Sequence, residues 1–314
     1  MSVLIAPSAS DPTVFLADWF ELKALSSDDR NSSREDFVCA IQIAGTVEDI
    51  TGYVEEDEID EESLLVELEE STGEKIEAVA DAVFEEMGDR YDSCGNLYNS
   101  YPFSLHQNFI QIISEPEESV YFFLLLLSFF GRHAGPKGTD GARLFELLAM
   151  EAATAYFGGA GASVQNYHFG WPRPSTPTNF RNAINDMCGR IGEGKGCRID
   201  RPTSGDMKDA KLDLAVWLPF SDEREGKLIA FGQGTTAKKW ADKLTELQPE
   251  PFCSMWLLDN PAVCPVRLFF VPHRIERDQW LYAARLGGIV FDRCRLTSHS
   301  RTVSDELLEK CADW

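Results

Sequence analysis

KLDLAVWLPFSDEREGKLIAFGQG, residues 211–234, is the stretch on which the fold turns. Leu212, Leu214, Ala215, Val216 and Trp217 make an apolar strand over 212–218, and a second strand follows over 227–233 after the polar turn Ser221 to Gly226. Asp213 sits near the start of the first strand, where an unpaired buried charge is costly, so it must have a partner. An antiparallel hairpin brings Asp213 and Gln233 to the same end. A carboxylate and an amide carbonyl side by side are oxygen ligands suited to a hard cation such as Mg²⁺. The plainer reading makes Asp213 a turn cap or the partner of Arg201 or Lys211; its place beside Gln233 favours the cation.

Outward from this hairpin the apolar pattern predicts a helix over 142–157, an extended piece over 161–169 and a helix over 177–191. Beyond it come a helix over 237–247, a strand over 266–271, a helix over 278–286 and a strand over 288–296. Such alternation calls for an α/β domain with a central mixed sheet flanked by helices. Asp292, Arg293 and Cys294 fall on the last of these strands, Asp292 and Arg293 as structural residues or charges on a DNA-facing side, and Cys294 without a base partner that would make it a nucleophile.

In this order of parts the chain resembles the PD-(D/E)XK, or restriction-endonuclease-like, nuclease superfamily. Its helix glutamate maps onto Glu146 in GARLFELL (141–148), its strand aspartate onto Asp213, and its third-strand acidic residue onto Gln233, as in branches that carry Gln there. The resemblance implies a restriction-endonuclease-like core and a Mg²⁺-dependent (or Mn²⁺-dependent) endonuclease, with Glu146, Asp213 and Gln233 as metal ligands or organisers. The family's lysine, two residues after the third-strand ligand, is Thr235 in this chain. Branches that move the lysine to the next helix point to Lys238 and Lys239, then Lys243, for orienting water or stabilising phosphoryl charge. DNA is the implied substrate, with RNA as the alternative. Restriction or anti-phage defence is the implied setting, and a homodimer or a protein activator would suit it.

Composition bears on these implications. The 314 residues are 44% hydrophobic, enough for a sizeable core. The formal net charge of −23 argues against a nucleic-acid partner until its distribution is seen. Between Glu48 and Arg90 there are 18 acidic and two basic residues, whereas Trp171 to Trp314 holds 20 acidic and 21 basic. The acidity belongs to a mainly helical accessory domain over 1–135, the nuclease domain occupying 136–314. The glycine-rich break at 131–138 marks the boundary, and within the first domain a helix over 62–88 is expected to break near Gly73. The acidic run from Tyr53 to Glu62 is a solvated loop or helix N-terminus, and the acidic helix over 62–88 presents a solvated face or, more sharply, a surface that mimics DNA or binds a protein. This frames the competing function: an inactive nuclease-fold scaffold that binds a partner through its acidic N-terminal region. A third reading lays that region over the nuclease domain as an inhibitor.

Eight cysteines without a C-x-x-C pair, and no evident leader, indicate reduced thiols and a cytoplasmic protein. Cys188, Cys197, Cys253 and Cys264, with His168 or His273, are the candidates for zinc, at spacings that match no standard site. The apolar run Val120–Phe130 is too short for a membrane span and predicts a buried helix. Gly232 to Thr236 also suggests a phosphate cradle without the Walker spacing, Gly192 to Gly196 a loop able to touch a nucleic-acid backbone, and His273 a strand-end histidine near the site.

Overall fold

The computed structural model describes residues 4–50, 61–95, 100–158, 163–171, 173, 179–198, 200 and 209–314. It is an α/β protein of two compact units, Met1–Glu115 and Pro116–Trp314.

The first unit contains α1 (Thr13–Ser26), β1 (Asn31–Ser33), α2 (Arg34–Ile50), α3 (Glu61–Ser93), β2 (Phe103–Leu105) and β3 (Phe109–Ile112). The strands form an antiparallel sheet in the order β1-β3-β2. Phe20 meets Phe37 edge-on at 5.5 Å, joining α1 to α2. Fully buried Arg90 of α3 bonds Asp18 at 2.8 Å and Glu21 at 2.9 Å on α1, and Glu86 at 2.8 Å on its own helix. A buried guanidinium is tolerated only with such partners. Helix α3 runs through Gly73 instead of breaking there: one interior glycine costs only about 1 kcal/mol in a long helix of good formers. The acidic run from residue 53 to 60 lies outside the described residues.

The second unit comprises α4 (Val120–Phe130), α5 (Gly141–Gly158), β4 (Gln165–His168), α6 (Phe180–Ile191), β5 (Leu214–Trp217), β6 (Ile229–Gly234), α7 (Pro249–Trp256), β7 (Val266–Phe270), α8 (Arg277–Gly287), β8 (Ile289–Phe291), α9 (Arg293–Ser298) and α10 (Asp305–Asp313). The sheet order is β4-β5-β6-β7-β8, with β4, β5 and β6 an antiparallel meander and β7 and β8 added parallel. Strand alternation divides the core. Leu214, Val216, Leu268, Phe270 and Phe291 pack toward α4, α5, α9 and α10, while Ala215, Trp217 and Phe231 pack toward α6 and α7. Phe269, Val271 and Val290 meet α8. Gly232 is required in this arrangement, because a Cβ there would stand 2.7 Å from Leu214 and 2.8 Å from Phe270.

Three sequence expectations are corrected. The division falls at 115/116 rather than 135/136, because α4 buries Phe123, Leu124 and Leu127 in the core of the second unit. The glycine break after α4 is a turn inside that unit: at Gly135 and Gly141 a side chain would collide with the indole of Trp314. Residues 237–247 form no α-helix, only a 3-10 turn over Trp240–Lys243. Pro249 opens α7 and drives Gln248 into an extended conformation, so the chain must leave any helix before it. The last strand ends at Phe291, where Asp292 caps α9 by accepting a hydrogen bond from the Arg295 N–H. No described helix is long and apolar enough to cross a membrane.

Candidate active site

Asp213 stands one residue ahead of β5, beside the register pair Leu214↔Gly232, at the same end of the hairpin as Gln233. Its backbone carbonyl accepts from the N–H groups of Phe169 and Gly170 at 2.7 and 2.8 Å, which fixes the end of β4 against it. Its Oδ2 accepts the Gly234 N–H at 2.7 Å. Glu146 comes from α5, the helix packed on this part of the sheet, and its Oε2 lies 3.1 Å from His168 Nε2. His168 sits on β4 paired with Leu214. Gly170 closes the corner, since a Cβ there would fall 2.5 Å from Glu146 Oε2.

The electrostatics follow from burial. Desolvation, with smaller contributions from the Asp209 and Asp140 carboxylates and against that of Arg143, pushes the Glu146 carboxyl up to about 8. Burial, then the charge of Glu146, raises Asp213 well above the carboxylate range, against the lowering effect of the Gly234 N–H and Lys211. Burial, then Arg143 and Arg173, pushes His168 down to about 4. The Glu146–His168 contact is therefore a neutral hydrogen bond near pH 7, with the carboxyl donating to Nε2. The other ring nitrogen, Nδ1, is buried without a hydrogen-bond partner among the described residues. Two acids forced toward protonation by burial and by neighbouring carboxylates are what a divalent cation would relieve.

Gln233 does not join them. On β6 it shares the face of Phe231, away from α5. Its Oε1 accepts the Leu247 N–H at 3.1 Å, and its Nε2 donates to Glu246 at 2.9 Å. The structure does not bring Gln233 to Glu146, as the sequence expectation required, because its amide oxygen is directed to the Leu247 N–H on the other face. Glu246 gathers two amines instead, Lys243 at 2.8 Å and Lys211 at 3.2 Å. Burial pushes its carboxyl up, but the hydrogen bonds from Lys243, Lys211 and Gln233 outweigh that and hold it below its ordinary value. The chain thus links Gln233 to Lys243 and Lys211, while Lys238 and Lys239 sit exposed in the turn before the 3-10 segment.

The remaining candidates resolve into structure. The N–H groups of Gly234, Thr235 and Ala237 bond Asp213, Phe270 and the Thr235 hydroxyl, so the Gly232 to Thr236 segment is no open phosphate cradle. The 192–196 loop is clipped by buried Glu193, which accepts from Gly226, Lys227 and Ala262. His273 bonds the Ala237 carbonyl. Cys188, Cys197 and Cys253 are core residues, and among the described residues no three His, Cys, Asp or Glu side chains gather as a zinc site would need. Mg²⁺ takes as few as one or two carboxylates and completes its shell with water and phosphate, so Glu146 and Asp213 are the residues that could hold it.

Sequence reading missed His168 as a site residue, having considered it only for zinc. Its signal was the strand QNYH, whose register could not be set from sequence. Comparison with protein-family models, curated proteins and solved structures finds no match to this chain.

Proposed function

We propose that the second unit is a restriction-endonuclease-like domain of the PD-(D/E)XK kind and that the protein is a cytoplasmic, Mg²⁺- or Mn²⁺-dependent endonuclease acting on DNA, in the setting of restriction or anti-phage defence. The observation that carries this reading is the convergence of a helix-borne Glu146 with Asp213 at the end of a sheet whose three antiparallel strands are extended by two parallel ones. A bound divalent cation would polarise a phosphodiester and lower the pKa of an attacking water.

The chain's own residues have defined parts. Asp213 and Glu146 would hold the cation. His168 fixes the Glu146 carboxyl through its Nε2. Arg143 and Arg173, whose charges reach His168, supply positive potential for a phosphate. Lys211, held by Glu246 and with its charge reaching Asp213, takes the place proposed from sequence for Lys238 and Lys239, and Gln233 helps to fix Glu246.

The test is incubation of the wild type and Asp213→Ala with supercoiled plasmid, linear duplex and single-stranded RNA in Mg²⁺, Mn²⁺ or EDTA. Metal-dependent cleavage that vanishes in the variant is expected; cleavage that survives in the variant or in EDTA contradicts the proposal. Two observations favour a second reading, the inactive scaffold with a protein partner: Thr235 stands where the family's lysine would be, and the Gln233 amide is engaged elsewhere. Folded protein without cleavage, together with capture of a protein partner that deletion of the acidic segment abolishes, would establish it.

A further inference from the structure

The end of β4 does more than complete the acid pair. Beyond His168 the chain reads Phe169, Gly170, Trp171. Phe169 is buried among aromatic rings, meeting Phe180 at 5.7 Å, and Gly170 lies against the Glu146 carboxyl. Trp171 is therefore anchored one residue from the site, yet it is 40% exposed. The other six tryptophans are buried or half-buried. An exposed indole loses the burial that stabilises the rest, and its position gives it something else to cover it.

Its surroundings indicate what. The guanidinium of Arg173, itself 8% exposed, lies 5.7 Å from the Trp171 ring centroid and 4.7 Å from that of Phe169. The same guanidinium and that of Arg143 act on His168, so positive charge and an accessible aromatic plate adjoin the acid pair. Aromatic plates beside cations are the elements that receive unpaired nucleobases, the ring taking the base and the cation its phosphate. Bases within a continuous duplex are already stacked on their neighbours and cannot use such a plate.

We propose that Trp171 is a stacking platform for an unpaired nucleobase next to the phosphate handled by Glu146 and Asp213, so that the substrate is single-stranded or locally opened nucleic acid. This rests on the nuclease reading and narrows its substrate class.

The test measures binding in EDTA, by fluorescence anisotropy, of the full-length protein to a labelled single-stranded DNA oligonucleotide and to a hairpin duplex of equal length. Wild type is expected to prefer the single strand. Trp171→Ala should weaken single-strand binding by about 5- to 150-fold, the range that one stacked base contributes, and leave duplex binding unchanged. Trp171→Phe should retain most of the affinity. As a check independent of any variant, an abasic site moved along the oligonucleotide should cost wild type affinity at one position and cost Trp171→Ala nothing there. Equal single-strand binding by wild type and Trp171→Ala overturns the platform while leaving the nuclease reading intact, as does duplex preference unaffected by the substitution. Failure of the wild type to bind any nucleic acid in EDTA overturns the platform, and metal-dependent cleavage of the plasmid decides the nuclease reading separately.

Discussion

Glu146 illustrates how burial sets chemistry at a single residue. Its carboxyl is raised in the folded protein to about 8, from an ordinary value of 4.5, chiefly by desolvation. The folded state thus holds a proton that the unfolded chain has released. Its stabilising contribution is full below about pH 4.5 and declines as pH rises toward 8. His168 works in the opposite sense: lowered from 6.5 to about 4, it contributes above 6.5 and loses that contribution as pH falls toward 4. Glu146→Gln keeps a neutral donor toward His168 and removes the titration. Relative to wild type, the variant should gain on the order of 2 kcal/mol between pH 5 and pH 8, read from urea unfolding. An unchanged difference across that range would mean that Glu146 is ionised in the folded protein. Both carboxylates were legible in the sequence, since an acid inside an apolar strand or on an apolar helix face needs a reason to be there. His168 was not, because its meeting with Glu146 depends on the register of β4 against β5.

Between residues and the whole stand the elements, where local chemistry overrode periodicity. The sequence placed Asp292 to Arg295 on a strand, but the Asp292 side chain accepts from Arg295 N–H and from Arg274 at 2.9 Å, starting α9 instead. Asp292→Ala removes a helix cap and one partner of a buried ion pair, and is expected to cost about 2–4 kcal/mol in denaturant unfolding. A loss within about 0.5 kcal/mol, the range of an ordinary surface substitution, would show that α9 does not depend on its cap. Likewise the expected 237–247 helix yields to Pro249 and to the bond from Leu247 N–H to Gln233. Strand alternation also carried information about Gln233: sharing parity with Phe231, it belongs to the face of α6 and α7. The hairpin itself was correctly read because apolar strands around a polar turn leave few other arrangements.

For the whole molecule, the α/β class and the acidic, mainly helical first unit were legible, while the division between units was displaced by α4. A run of apolar residues before a glycine break reads equally well as the end of one domain or the start of the next, and only packing decides. Residues 116–314 should accordingly fold with a cooperative thermal transition, and residues 136–314 should not, having lost Phe123, Leu124 and Leu127 from the core. Near-UV circular dichroism separates the outcomes: equal native spectra would return α4 to the first unit. The charge distribution belongs to this scale as well, since the near balance of acids and bases beyond Trp171 permits a phosphate-bearing substrate that the net charge of −23 alone would discourage.

The central claim is that Glu146 and Asp213 together hold a divalent cation at the end of the sheet. Calorimetric titration of Mn²⁺ into the wild type, Asp213→Asn and Glu146→Gln at pH 7.5 tests it most directly. The account predicts saturable binding to the wild type with release of protons, read from its dependence on buffer ionisation, and loss of at least tenfold in affinity in each variant. Binding that is absent from the wild type, or unchanged in both variants, would contradict it.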